Sequence, residues 1–258
     1  MSTLDSAPRT LDVSGTPKTP FARLVKVELR KSFDTRAGLW LIGSIVVITA
    51  LVMAIVYFAS DEHTFGNYLS AASTPQSLLL PVLGILLVTS EWSQRTAMVT
   101  FALEPSRSRV VGAKTVAAMI FGAGAFVAAI VLGALATLLS GGTDGFAGFE
   151  WGDSSAFFLL QLFTILQGLA YGLLLLNTPA AIVLFFGLPI VMNLLFSLVD
   201  ALRDAAPWID LATAQMPLFS SSIDLSGEEW AQLGSTTLIW IVIPFVLGWL
   251  RLLKAEVK

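Results

Sequence analysis

Six stretches of the chain are apolar over about the length a helix needs to cross a bilayer, roughly 20 residues. They cover Leu39–Ala59, Leu69–Ser90, Val116–Leu139, Ala156–Leu176, Ala180–Val199 and Thr236–Leu253. The first carries no charge at all. Asn177-Thr178-Pro179 divides the fourth from the fifth, and a proline beside polar residues predicts a tight turn between two spans. Pro81, Pro189 and Pro244 lie inside spans. They predict kinks and not ends, because neighbouring helices can satisfy the freed carbonyls.

Two further segments have helical patterns outside the spans. In Pro20–Arg36, Phe21, Val25, Leu29 and Phe33 recur every four residues with Leu24 alongside, while Arg23, Lys26, Arg30 and Lys31 fall largely on the other side. This predicts an amphipathic helix in the membrane interface, either a lipid anchor or a docking surface. Glu91–Lys114 is mixed in charge, helix-compatible up to Pro105, and longer than a bare connection needs. The largest remaining loop, about Asp200 to Ser235, has amphipathic pieces (PWIDLATAQM, EEWAQLG) expected to lie on the outer membrane face.

Composition supports the pattern. Of 258 residues, 55% are hydrophobic and 13% charged, about half the charged share of a soluble domain, and the mean hydropathy is +0.80. The expected fold class is an all-α integral membrane protein with six transmembrane helices: a disordered cytoplasmic tail over 1–19, then one membrane domain over 20–258. The tail lacks the apolar core of a signal peptide. Lys and Arg orient the chain: fourteen of fifteen precede the first span, lie between spans two and three, or sit at the C-terminal end of the sixth and beyond it, and Arg203 alone is on the other side. By the positive-inside rule both termini are cytoplasmic. Eleven acidic residues, from Asp61 and Glu62 to Glu228 and Glu229, fall in the opposite loops.

Chemistry is thin. Without cysteine there are no disulfides, thiolate metal sites or thiol nucleophiles, and the single histidine, His63, excludes bis-histidine centres. No phosphate-binding loop occurs: Gly112-Ala113-Lys114-Thr115 lacks the glycine that precedes the lysine. The spans as drawn hold no ionisable residue except Glu91 and Arg251 at their margins, which argues against a proton-coupled carrier. Gln161, Thr164, Gly168 and Tyr171 form a stripe on the fourth span, with Gln167 adjacent and Asn193 in the fifth. They either line a substrate path or bond neighbouring helices. Ala125, Ala129 and Gly133 repeat every four residues in the third span, with Ala118 and Gly122 nearby, and permit close packing within the chain or against a second copy.

Three places taken together, VKVELRKSFDTRAGLWL, SEWSQRTAMVTFALEPSRSRVVGAK and APWIDLATAQMPLF, resemble the membrane subunit of type-2 ATP-binding-cassette exporters, particularly small actinobacterial ones. The resemblance implies an export permease of the plasma membrane that is not itself an enzyme. It implies an N-terminal interface helix, a coupling helix between spans two and three, and a second permease subunit, identical or paralogous. A separate ATPase subunit would bind the ATP and magnesium. The expected partners are these subunits and the lipid bilayer, with no nucleic acid and no cofactor bound by the chain. Carried over, Glu28, Lys31, Asp34 and Arg36 would belong to the interface helix, and Glu91, Arg95, Thr96 and Glu104 to the coupling element. A non-transporting scaffold or sensor is the alternative, and an ion-coupled carrier a weaker one.

Overall fold

A computed structural model describes residues 19–141, 143–147, 149, 151–219 and 225–255. The tail expected over 1–19, Thr19 apart, lies outside the described residues, as do the acidic loop residues Glu150 and Asp224. Among the described residues there is no strand, and six helical segments are long and apolar enough to cross a membrane. The chain has the character of a multi-pass membrane protein.

Helix α1 (Phe21–Asp34) stops at Thr35, whose extended backbone (φ −89°, ψ 137°) turns the chain and whose hydroxyl accepts from the Gly38 amide to cap α2 (Arg36–Ala59). The corner is tight: a Cβ on Gly38 would lie 2.1 Å from the Ser32 carbonyl oxygen. Then come α3 (Phe65–Ser93), the short α4 (Ala97–Leu103) and α5 (Arg107–Gly141). A 3-10 turn over Thr143–Phe146 leads to α6 (Trp151–Leu175). The turn predicted at Asn177-Thr178-Pro179 is present: α7 (Thr178–Leu198) begins there, capped by Asn177 Oδ1 accepting from the Ala180 amide at 2.9 Å. Three short helices follow, α8 (Asp200–Arg203), α9 (Ala206–Ile209) and α10 (Leu211–Gln215), then a 3-10 turn to Phe219. Helix α11 (Gly227–Thr237) runs through a π-helical turn (Leu238–Val242) into α12 (Ile243–Lys254).

Two sequence expectations are corrected. EEWAQLG is not a separate piece: α11 is the first part of the last candidate span, Gly227–Lys254. Its start is fixed by Ser226 and Glu229, which bond each other's backbone amides reciprocally. Likewise Arg107–Lys114 is not loop but the first two turns of α5, which with 35 residues is about 50 Å long at 1.5 Å rise per residue. Hydropathy placed the boundary at the last charge, whereas the backbone continues helical past it.

Helix α3 is the centre of the bundle, packed on α2, α5 and above all α6. The α3–α6 seam is held close by glycine. A Cβ on Gly84 would meet the Ile165 carbonyl oxygen at 2.4 Å, and one on Gly168 the Pro81 carbonyl oxygen at 2.2 Å. The small-residue stripe of α5 also faces inward: Ala118 and Ala129 are fully buried, and Gly122 and Gly133 face Ile165 and Phe65. A buried amide chain crosses this core. Gln161 Nε2 donates to Gln76 Oε1 (2.5 Å), and Gln76 Nε2 donates to the Ala125 carbonyl (3.1 Å) and the Thr49 hydroxyl (3.5 Å).

The two ends of the bundle differ in charge. At one, the Arg109 side chain donates to the Thr19 carbonyl, and Arg107 donates to the carbonyls of Leu252 (2.6 Å) and Ala255 (2.8 Å). That contact brings the starts of α1 and α5 and the end of α12 together. At the other, a cleft joins Glu62, Gly145 and Phe219.

Candidate functional site: a charged joint and a mid-span cavity

The basic end of the bundle contains a four-charge cluster. Glu28 of α1 and Glu91 of α3 are buried, as is Lys114 of α5, and Lys31 of α1 is half-buried. Lys114 Nζ donates to Glu28 Oε2 at 2.6 Å and to the Leu87 carbonyl at 2.8 Å, and lies 3.2 Å from Glu91 Oε1. Lys31 Nζ donates to Glu28 Oε1 at 2.8 Å and Glu91 Oε1 at 2.7 Å. The Thr100 hydroxyl of α4 donates to the same Glu91 oxygen at 3.0 Å. Two carboxylates and two ammoniums cancel, which is how charges are tolerated out of water. Burial alone would pull the Lys31 ammonium down, but Glu28 and Glu91 outweigh it and hold the group above its ordinary value.

Helix α4 is tied to this cluster at several points. Helix α3 ends in a Schellman turn: Thr96 N–H donates to the Glu91 carbonyl (2.8 Å) and Arg95 N–H to that of Trp92 (3.2 Å), with Arg95 left-handed at φ 58°. At its other end, Glu104 pairs with Arg109 (2.9 Å) and accepts from the Ser106 amide (3.4 Å) at the start of α5. Phe101 packs toward the core, under the Arg107 guanidinium at 5.1 Å. Three apolar side chains of α4 are open: Met98, Val99 and Leu103 are 54%, 59% and 79% exposed, and Val99 and Leu103 line the cavity beside the cluster. A cavity of about 530 Å³ lies between α1, α3, α4 and α5 beside the cluster.

The residues singled out for the expected interface and coupling elements therefore divide. Glu28, Glu91 and Glu104 are buried in contacts within the chain; Asp34, Arg36, Arg95 and Thr96 are exposed; Lys31 bridges the two groups. Sequence reading missed Thr100 and Lys114. By hydropathy Lys114 reads as loop, and the signal that could have found it is the unbroken helical register from Arg107 into the third span.

The polar span residues divide too. Thr164 and Gln167 line a cavity of about 320 Å³ with Ser77, Asp210, Gln215 and Trp240. Tyr171 is buried beneath them, its hydroxyl accepting from Gln167 Nε2 at 3.0 Å. Gln161 belongs to the core amide chain instead, and Asn193 is exposed on α7 away from both. Gln76 was missed, though it is an amide inside an apolar run. Compared with known protein families and with curated proteins, the chain matches none.

Proposed function

We propose that the chain is the permease subunit of an ATP-binding-cassette exporter in the plasma membrane, both termini cytoplasmic, driven by a separate ATPase subunit. The observation that carries this reading is the charged joint. Two helices outside the spans, α1 and α4, are locked through Glu28, Lys31 and Thr100 onto Glu91 and Lys114, which belong to the candidate spans. A helix that only floats in head groups needs no such network. A helix that transmits a push does, because force applied to it must reach the spans before it is lost in bending. Around α4 the exposed apolar side chains Met98, Val99 and Leu103, the last two at the mouth of the cavity beside the cluster, offer a partner helix an apolar contact next to Arg95 and Thr96. Asp34 at the end of α1 and Arg36, which opens α2 and does not belong to the interface helix, add exposed charge beside it.

On this reading α1 is the interface helix and α4 the coupling helix. A second permease subunit completes the transporter, ATP and magnesium sit on the partner ATPase, and the chain makes and breaks no covalent bond. Substrate moves because the spans repack when the joint is pushed.

The test is co-purification of the tagged full-length chain, in mild detergent, with the products of neighbouring genes. A stoichiometric ATP-binding subunit, released by Leu103→Asp and Val99→Asp while the chain stays folded, is the expected result. Recovery of the chain alone, under conditions that preserve other membrane complexes, would overturn it in favour of a scaffold.

A further inference from the structure

We infer that the cavity between α3, α6, α7, α10 and the last span binds an amphipathic organic cation: an aromatic or branched alkyl body bearing an ammonium group. The inference rests on the export reading only for calling this molecule the cargo. The cavity, about 320 Å³, is of the size that takes compact small molecules. Its walls are Phe185, Phe186 and Trp240, with Phe185 and Phe186 edge to face at 5.1 Å between centroids. These are faces on which an ammonium group is attracted by the ring quadrupoles.

The one charge among these walls is negative, and two of their hydroxyls give their protons to backbone carbonyls, Ser77 to Thr74 and Thr164 to Leu160. Asp210 is the one charged residue lining the cavity, and among the described residues no lysine or arginine lines it or pairs with that carboxylate. Its Oδ2 accepts from both the amide (2.9 Å) and the hydroxyl (2.6 Å) of Thr213, which fixes the carboxylate and leaves Oδ1 available. Gln167 donates its amide nitrogen to Tyr171, so its carbonyl oxygen remains the free end. The Trp240 ring is pinned, since its N–H donates to the Ile209 carbonyl. A cavity with one carboxylate that no basic side chain pairs, an amide oxygen and three aromatic rings repels anions and attracts a cation.

The experiment uses the full-length chain in nanodiscs without any ATPase. Binding of phenyltrimethylammonium is measured by equilibrium dialysis and compared with tert-butylbenzene, its uncharged isostere. Trp240→Phe, which keeps a ring, identifies the share of fluorescence quenching that arises in the cavity. The cation should bind, with quenching lost in Trp240→Phe, and should weaken at least about tenfold in Asp210→Asn. Asparagine is an equally good helix cap, so melting temperature should not move. Equal binding of tert-butylbenzene, or an Asp210→Asn variant that binds the cation unchanged, would overturn the inference. Because no ATPase is present, cation binding with a failed co-purification would leave the site standing and remove export. Co-purification without cation binding would do the reverse.

Discussion

At the scale of single residues, the cluster of Glu28, Lys31, Glu91 and Lys114 governs what substitutions will do. Removing one member of a buried set strands its partner's charge, so Lys114→Met should cost about 3–5 kcal/mol. Losing both members of a pair should cost less than the sum, since Glu28→Gln with Lys114→Met leaves the Lys31–Glu91 pair at 2.7 Å intact. Thermal unfolding of the two single variants and the double variant checks this. Lys31 also has a pH signature. Its folded value is raised above the ordinary 10.5, so its contribution is fully present below that pH and is lost as pH rises through the raised value. Lys31→Met should flatten the alkaline limb of the stability profile and leave the neutral region's shape unchanged. Arg95 poses the opposite case. A left-handed residue at the end of a helix is ordinarily glycine, and a side chain there costs about 1 kcal/mol. Arg95→Gly should therefore be neutral within about 1 kcal/mol in a melt, yet weaken ATPase docking if the guanidinium makes that contact.

At the scale of elements, the α3–α6 seam brings two backbones into direct contact and has no room for a methyl group at Gly168. Gly168→Ala must force the two backbones apart and should destabilise by about 1–3 kcal/mol, readable as a lower melting temperature. The same substitution at Gly187 or Gly43, where nothing lies within 4 Å, should be silent. The contrast explains how far the sequence could be read. The spans were legible because lipid demands long apolar runs, and the α6–α7 turn because Asn177 and Pro179 leave few alternatives. The α4 helix was legible as a helix but not as an anchored one, since Lys31 lies 60 residues from Glu91 and only packing brings both together with Thr100. Gly168 read as one member of a polar stripe, and only the approach of Pro81 shows it to be a seam. Asp210 counted as one of many outer acidic residues, and its isolation among aromatic rings depends on how α10 folds back over α7 and the last span.

At the scale of the whole molecule, the charge map predicts orientation, and the absence of cysteine makes it easy to test. In intact cells, a single cysteine at Glu62 should react with a membrane-impermeant maleimide from outside, and one at Ala102 only after the cells are opened. The reverse pattern would invert the protein in its membrane. The last span holds one more consequence. Its π-helical turn at Leu238–Val242, just ahead of Pro244, winds wider than the α-helix on either side, so the chain there carries roughly one residue more than a regular helix of the same rise. The wide turn absorbs that surplus itself, so the helix on either side keeps its register. Deleting one residue there would close the turn into regular α-helix and leave Gly227–Thr237 facing nearly as it does now relative to Phe245–Lys254, with the change confined to the turn. Trp240, inside the turn, would lose its aim at Ile209. A helix with such slack can also pass the wide turn along its length, re-aiming only the residues it passes, like a ruck moved along a carpet, while the backbone hydrogen bonding on either side stays closed.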